Sequence, residues 1–552
     1  RAALQSHLSS RDRRQHSANI RLRYRVPVTF DAQQLAQWRA LIEPRDVAAL
    51  ARLDVDGEAV PLGFAQTEPQ LALWVQQLLG LVQDIMHAAH IPSFATPKLM
   101  HCAPLAENES TRDLLFSLPL IDMVPDPQRS EFLAKSFDLA TDLARTPITP
   151  KTREDVFERL SQHFVTPLTR MTPPGKSTMR VLRAAFERGT PFMHLGAGVY
   201  QLGWGTKARR IDRSSTFRDP AQAIKLTQNK ATTSALLRYA GLPAPEHMPV
   251  KSLESAQAAA AKLGWPVVVK PADLDRGEGV FVDLDAATLP SAFEAASKAS
   301  PSGQVLVEKQ VSGYCHRVFV SAGKMLYAVR RLPMGVYADG VSTVTELVDV
   351  ALQAEAARAP WTRSELLPLD VVADHSLQQA GLTRDSVPAK GVFVALRRIE
   401  TTAAGGVDED VSGEIHPDNI AVALKAAALC GLDVAGVDII CSDISQPWHQ
   451  TDAIINEVNF APLLGVGPIS KTHVGAHLDR LLVGRGCIPV HVFVGDNAAL
   501  EAAKAAQSKL SQNGVDAHIV AAQETITCGG QVLATRATTA SSRLRALMVD
   551  PS

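Results

Sequence analysis

The sequence predicts a multidomain protein of mixed α+β and α/β class. Its 552 residues exceed the length that one hydrophobic core normally serves. In the middle of the chain, short apolar runs typical of strands alternate with helix-forming runs. Proline-containing stretches separate this middle from the region before it. We therefore expect an N-terminal α+β domain over residues 1–165, a central domain over 166–485 and a C-terminal α/β segment over 486–552.

The N-terminal segment predicts a strand followed by helices. NIRLRYRVPV (19–28) alternates apolar and polar residues, which is the period of a strand. LALWVQQLLGLVQDIMHAAH (71–90) has the apolar content and length of a buried helix. The histidines His87, His90 and His101 lack the HExxH spacing of metalloproteases, so we interpret them as surface residues.

Composition excludes several classes of protein. The formal net charge is −1, which argues against a dedicated nucleic-acid or membrane surface. No apolar run reaches the roughly 18 residues that span a bilayer. Six cysteines occur without CxxC spacing, which indicates a reducing cytoplasm and neither a disulfide framework nor a zinc site. The chain is therefore expected to be cytoplasmic, with no nucleic acid and no membrane as partner.

A lysine and a glycine-bearing loop lie early in the central segment. WPVVVKPADLDRGEGVFVDL (265–284) predicts two strands, with Lys270 near the end of the first. Gly277 and Gly279 would let backbone N–H groups approach an anion closely, and Lys270 would supply compensating charge. A β-hairpin with a flexible turn has a similar pattern, so this loop alone leaves both interpretations open.

Two later strands carry acidic residues where a buried strand should be apolar. GVDIICSD (436–443) contains Asp438, and AIINEVNFAP (453–462) contains Glu457 and Asn459 on one face. Two carboxylates and an amide oxygen suit a hard cation such as Mg²⁺. The alternative is a salt-bridge network, because a buried carboxylate is costly unless it is paired. The candidate partners are four arginines: Arg330, Arg331, Arg397 and Arg398.

The C-terminal segment has the strand–glycine–helix pattern in which a phosphate-binding loop normally lies, but it lacks the residues of such a loop. VHVFVGDNAALEAA (490–503) predicts a strand, a glycine and a helix, but no Gly-Lys-Ser/Thr follows Gly495. We expect a strand over 487–495, a helix over 497–514 and a strand over 515–520. Nucleotide turnover is not expected at this loop.

The order of these features resembles the ATP-grasp fold over roughly residues 190–475. The helix start QNKATTSALLRYAGLPAP (228–245) precedes the Lys270 strand, and the acidic strand pair comes last. Several longer stretches most resemble cyanophycin synthetases, and they are VYQLGWGTKARRI (199–211), HRVFVSAGKMLYAVRRLP (316–333), GLDVAGVDIICSDIS (431–445) and INEVNFAP (455–462). The C-terminal segment resembles a remnant of the Mur-ligase-like α/β domain of that family.

The resemblance implies a role for each matching residue. The ATP-binding residues would be Lys230, Lys270, Gly277, Gly279, Glu308 and Val311, the last two at the adenine. The ligands of Mg²⁺, expected as two ions, would be Asp438, Glu457 and Asn459. The residues that neutralise an acyl phosphate would be Arg330 or Arg331, with Arg398. The substrate-binding residues would be Gln201, His316 and Arg317. Cys315, Ile399 and Thr401 depart from the family's usual residues.

The activity implied is an ATP-dependent ligase that joins a carboxylate to an amine through an acyl phosphate. Because the C-terminal segment has lost its nucleotide loop, the chain resembles the type-2 enzymes of the family. These polymerise ready-made β-aspartyl-arginine dipeptides onto a growing cyanophycin chain, and a homo-oligomer, a dimer or larger, is expected. Two alternatives stay open: a ligase for another amino acid or dipeptide, and a non-catalytic partner subunit of an active synthetase.

Overall fold

A computed structural model describes most of the chain. The described residues are 7–8, 17–25, 31–43, 69–105, 108–119, 126–170, 172, 175–274, 278–363, 369–397, 406–533 and 535–550. Gly277 and Arg398 lie outside these ranges, as do Ile399 and Thr401.

The N-terminal region is a four-stranded antiparallel sheet covered by helices. Its strands are β1 (His7–Leu8), β2 (Ser17–Arg25), β3 (Lys98–Leu105) and β4 (Asn108–Pro119), in the order β1-β2-β4-β3. Its helices are α1 (Ala32–Ile42), α2 (Pro69–Ala88), α3 (Asp126–Leu143), α4 (Pro150–Leu160) and α5 (Thr166–Thr169), with a π-helical turn at Ser161–Val165 between the last two. Trp38, Trp74 and Phe116 are fully buried between these layers. The strand and helix predicted for this region are confirmed as β2 and α2.

A small antiparallel sheet follows, with strands in chain order. It consists of β5 (Phe192–Gly196), β6 (Val199–Leu202), β7 (Arg209–Asp212) and β8 (Ser215–Thr216). Helix α6 (Lys176–Glu187) packs its apolar face, including Val181 and Leu182, against this sheet and the central one. Two more helices, α7 (Ala221–Thr227) and α8 (Lys230–Tyr239), lead out of it.

The next unit is a four-stranded antiparallel sheet of order β11-β10-β12-β9. Its strands are β9 (Met248–Val250), β10 (Val267–Pro271), β11 (Phe281–Leu284) and β12 (Val305–Lys309). Helices α9 (Leu253–Leu263) and α10 (Leu289–Ala299) cover one face and share a core with Val267, Val269 and Val307.

The central sheet has five antiparallel strands in the order β17-β14-β13-β18-β19. These are β13 (Tyr314–Ser321), β14 (Lys324–Leu332), β17 (Val407–Asp410), β18 (Val434–Cys441) and β19 (Ile454–Phe460). Helix α13 (Pro417–Cys430) packs on one face, and α14 (Pro468–Leu481) packs at one end of the other. Two α+β subdomains, each built on its own sheet, form the ATP-grasp fold. The predicted multidomain α+β class is confirmed.

A helical insertion joins β14 to β17. It contains the hairpin of β15 (Gly335–Tyr337) and β16 (Phe393–Ala395) and the helices α11 (Val344–Ala356) and α12 (Val371–Gln379). Val344, Val348 and Leu377 form its small core.

The C-terminal segment folds differently from the prediction at its first element. Residues 487–495 form no strand, so that prediction is wrong; the helix is confirmed as α15 (Asn497–Gln512). The predicted strand over 515–520 shrinks to β20 (Ile519–Val520), which pairs with β21 (Thr525–Ile526), and α16 (Ala540–Val549) comes last. No described strand pairs with 487–495, so β propensity alone does not give it a ladder. The boundaries near 165 and 485 stay predictions.

Among the described residues, no helix combines the length and apolarity needed to cross a membrane.

Candidate active site

Five polar residues that the sequence singled out lie on one face of the central sheet, because side chains alternate along each strand. Arg317 on β13 lies opposite Asp438 on β18, and Asp438 lies opposite Glu457 on β19. Asn459, two residues beyond Glu457, shares its face. Arg331 pairs with Cys315, two residues before Arg317, and so joins the same face. We call Arg317, Arg331, Asp438, Glu457 and Asn459 the polar row.

Asp438 is held by arginine. Both of its carboxylate oxygens accept from Arg317, with Nε–Oδ1 and Nη2–Oδ2 distances of 2.6 Å. Asn459 Nδ2 donates to Oδ2 at 3.2 Å, and Arg331 Nη1 is 3.8 Å from the same oxygen. Burial acts to raise the pKa of Asp438, but Arg317 and Arg331 outweigh it, so the pKa is lowered. The salt-bridge network left open by the sequence is therefore present, with Arg317, which was not among the four candidate arginines, as the main partner.

The same row offers oxygen ligands to a cation. Glu457 is partly buried and lines a recess with Lys230 and Thr233 of α8. Carboxylate and amide oxygens on adjacent strands are the donor types that Mg²⁺ takes. The donor set fits the ion, provided that Asp438 shares its carboxylate between Arg317 and the metal. The structure thus brings the three predicted ligands together; the metal itself stays a prediction.

Arg330 and His316 lie on the opposite face from the polar row. Arg330 donates to Glu409, with an Nε–Oε2 distance of 2.7 Å, and lies 5.2 Å from the centre of the Tyr314 ring. His316 is buried, with Nδ1 3.5 Å from Cys441 Sγ, and burial is the main cause that lowers its pKa to about 4. Because side chains alternate along β13 and β14, these residues and their sequence neighbours Arg317 and Arg331 cannot share a face.

A second charged group lies in the four-stranded sheet. Lys270 on β10 and Glu308 on β12 are both buried, and Nζ lies 2.8 Å from Oε1. His247 Nε2 is 2.5 Å from the other carboxylate oxygen of Glu308. Burial acts to raise the pKa of Glu308, but Lys270 and His247 outweigh it and lower the pKa to about 2. The predicted phosphate lysine and adenine glutamate are therefore neighbours, joined by a histidine that the sequence did not indicate.

Lys230 and the loop after β10 face each other. Lys230 is the first residue of α8, and its Nζ donates to the carbonyl of Leu274 in that loop. Gly279 has φ +69°, and a Cβ there would lie 2.8 Å from Pro271 Cγ, so the loop requires glycine at this position. Val311 is partly buried in the turn after β12.

Gln201 lies away from the polar row and contacts the C-terminal helix. It is fully buried on β6, and Nε2 donates to the carbonyls of Met548, at 2.7 Å, and Gly203, at 3.1 Å. Its Oε1 is buried without a hydrogen-bond partner among the described residues. Sequence motifs gave no sign of this contact, since it joins residues 347 apart.

Comparisons with known proteins agree with the central geometry. The family described as carbamoyl-phosphate synthase L chain, ATP binding domain, matches residues 229–319. A cyanophycin synthetase of Trichormus variabilis is 33% identical over 335 residues, which are 58% of this chain and 37% of that protein. The central part of this chain is therefore similar to cyanophycin synthetases. The resemblance inferred from the sequence is confirmed.

Other proteins are also similar to parts of this chain. The glutathione biosynthesis bifunctional protein GshAB of Mannheimia succiniciproducens is 32% identical over 250 residues, which are 43% of this chain and 32% of that protein. A crystal structure of a bifunctional glutathione synthetase from Pasteurella multocida has a TM-score of 0.43 and 23% identity, and covers 64% of this chain and 52% of that one. The match to the Trichormus protein spans little more than a third of that protein's length.

The N-terminal histidines do not gather into one site. His87 Nδ1 lies 2.6 Å from Glu43 Oε2, and Asp84 completes a group of three possible metal ligands. These carboxylates already form ion pairs with arginines: Arg39 Nε lies 2.7 Å from Asp84, and Arg183 Nη2 lies 3.2 Å from Glu43. His90 and His101 are not part of the group.

Sequence reasoning missed one carboxylate of the ATP-grasp site. Asp408 on β17 lies opposite Arg331 and on the face of the polar row. Burial is the main cause that raises its pKa, against the lowering effect of Arg331 and Arg317. The signal that was available is the acidic run DED (408–410), in which only alternate residues can share a face.

Proposed function

We propose that this chain is an ATP-dependent ligase that forms peptide bonds between a carboxylate and an amine at one ATP-grasp site. The observation that carries the proposal is the polar row, in which two carboxylates and an amide lie beside two arginines on one sheet face. Lys230 and Glu457 line one recess at its edge. The similarity to cyanophycin synthetases supports the same activity.

Each group has a task in ATP binding. Lys230 and Lys270 would hold the phosphates, and the Gly279 loop would lie over them. Glu308 and Val311 would contact the adenine. Asp438, Glu457 and Asn459 would hold Mg²⁺, which supplies positive charge beside the phosphates.

Catalysis would depend on position and charge, without a protein nucleophile. The acceptor carboxylate attacks the γ-phosphorus of ATP, and the bond to ADP breaks, which gives an acyl phosphate. An amine then attacks the acyl carbon, phosphate leaves, and the amine gives up a proton. Lys230 and Lys270, with Arg398 as the resemblance implies, would stabilise the negative charge on the transferring phosphoryl group.

For the substrate, we propose β-aspartyl-arginine dipeptides added to a growing cyanophycin chain. The basis is the resemblance together with the C-terminal loop, which lacks the lysine and hydroxyl of a second nucleotide site. The similarity to a glutathione biosynthesis protein favours, as second candidate, ligation of another amino acid or dipeptide. A non-catalytic subunit is a third possibility, and a homo-oligomer is proposed on the resemblance alone.

The deciding experiment measures Mg²⁺- and ATP-dependent phosphate release. The amine donors are β-aspartyl-arginine, or free aspartate plus arginine, each with and without a cyanophycin primer. We expect turnover with the dipeptide alone, and a fall of at least about 100-fold in Glu457→Gln because a metal ligand is lost. Glu414→Gln, at an exposed position outside the row, is the control and should match the wild type.

Other outcomes of this assay have definite meanings. Turnover with free amino acids would show that the C-terminal loop had been misread. Turnover with a different amine would establish the second candidate. No turnover with any donor would leave the non-catalytic subunit as the function.

A further inference from the structure

Asp408 and Arg331 form an incomplete charged pair at the edge of the central sheet. They are direct neighbours in the register of β17 and β14. Both lie on the face that carries the polar row. Oppositely charged side chains in this relation normally bond to each other. Here no ion pair within 4.0 Å joins these two.

Each partner keeps a buried polar atom without a hydrogen bond among the described residues. These atoms are Asp408 Oδ1 and Arg331 Nε. Desolvated carboxylate and guanidinium atoms without partners are costly, and buried polar atoms in native structures normally have a hydrogen-bond partner. The pair therefore has one acceptor and one donor, on two paired strands, that a ligand could satisfy.

The neighbouring charges define which ligand fits. Arg317 is in a bidentate pair with Asp438, and Arg330 faces the other side of the sheet with Glu409. Arg331 is thus the guanidinium on this face with capacity for a further anion, although Asp438 lies 3.8 Å away. A simple anion would be repelled by the Asp408 carboxylate, and a simple cation would be repelled by the Arg331 guanidinium. A ligand that carries an ammonium and a carboxylate on the same carbon atom avoids both repulsions.

We propose that Asp408 and Arg331 bind the zwitterionic head group of an α-amino acid, with the ammonium at Asp408 and the carboxylate at Arg331. This inference rests on the proposed function, because the head group would belong to the incoming amine substrate. The aspartyl residue of β-aspartyl-arginine carries such a head group: its α-amine stands next to a free α-carboxylate. Asp408 is then a specificity-determining residue that selects amines bearing an adjacent carboxylate.

The test measures binding rather than turnover. The full chain with Mg²⁺ and a non-hydrolysable ATP analogue is titrated calorimetrically with β-aspartyl-arginine, its N-acetyl form and its α-amide. Free aspartate and arginine complete the panel. We expect the parent dipeptide to bind and both capped forms to bind at least about tenfold more weakly, because each loses one charge-assisted contact. Asp408→Asn should weaken the parent dipeptide by a similar factor.

A matched variant separates this role from a general effect of charge. Asp410→Asn removes the same group from the same strand and face, but Asp410 is exposed and bonded to Ser412. It should bind the parent dipeptide as the wild type does. Unfolding midpoints of both variants show that the fold is kept, and a Kd for the nucleotide analogue equal to that of the wild type shows that the ATP site is intact.

The outcomes distinguish this inference from the proposed function. Asp408-dependent binding without phosphate release would refute the ligase and keep the head-group site. Phosphate release with an unchanged Kd and KM in Asp408→Asn would keep the ligase and overturn the site. The site is also overturned if the N-acetyl dipeptide binds as tightly as the parent, or if no member of the panel binds to the wild type.

Discussion

Two runs of this chain with high β propensity differ in structure: one forms a buried strand and the other forms no strand. GVDIICSD (436–443) contains a charged residue in its middle, yet it forms a central strand in which Asp438 is only 3% exposed. CIPVHVFVG (487–495) has no acidic residue, yet it forms no strand, and Val494 is 91% exposed. Whether a run is buried here depends on whether neighbouring strands pair with it, and not on how hydrophobic the run is.

The difference teaches how charge is tolerated inside this fold. β18 has a hydrogen-bonded neighbour on each side, β13 and β19, and β13 brings Arg317 to Asp438. The backbone ladder offsets desolvation of the strand, and the arginine offsets desolvation of the carboxylate. The C-terminal run has no ladder among the described residues, and its three valines are exposed, so they gain little from their apolar character.

The largest expected effect comes from removing the arginine of this pair. Arg317→Met keeps much of the side chain but leaves Asp438 buried without its bidentate partner, so we expect a loss of about 3–5 kcal/mol in the free energy of unfolding. Urea denaturation at neutral pH measures it. Arg330→Met, which breaks a more exposed pair on the other face, should cost at most about 1 kcal/mol. Equal losses in the two variants would contradict the contrast between buried and exposed charge.

A pH titration sharpens the comparison for a second buried carboxylate. The pKa of Glu308 is lowered from 4.5 to about 2, so its stabilising contribution is present above pH 4.5 and is lost as the pH falls toward 2. We expect roughly 2–3 kcal/mol of unfolding free energy to depend on this group. The quantity to follow is the difference in unfolding free energy between wild type and Glu308→Gln, which should shrink as the pH falls from 4.5 toward about 2. Parallel pH curves for the two proteins would contradict the assignment.

The smallest expected effect compares a small apolar truncation in each run. Ile439→Val in β18 removes a methylene from a side chain that is 1% exposed, and it should cost about 0.5–1.5 kcal/mol. Val494→Ala removes apolar atoms that are already in water and should change stability by less than about 0.5 kcal/mol. Thermal or urea unfolding of both variants decides this. A larger loss in Val494→Ala would mean that the C-terminal run is covered by a partner in solution.

Parts of the site could be predicted from residue spacing alone. Glu457 and Asn459 are two apart in a strand, so they had to share a face, and that face is the one on which Asp438 meets them. The order of Lys230, Lys270 and the acidic strands was enough to indicate the ATP-grasp fold.

The sequence by itself determined the periodicities, and with them which residues of one strand lie together. Only the tertiary structure decided which strands are neighbours, and so it chose Arg317 for Asp438, placed His316 and Arg330 on the far face, and set Asp408 beside Arg331. It likewise turned Gln201 toward the C-terminal helix and left 487–495 without a ladder. The physical reason is that pairing across strands joins residues distant in the chain, while local propensity acts only between near neighbours.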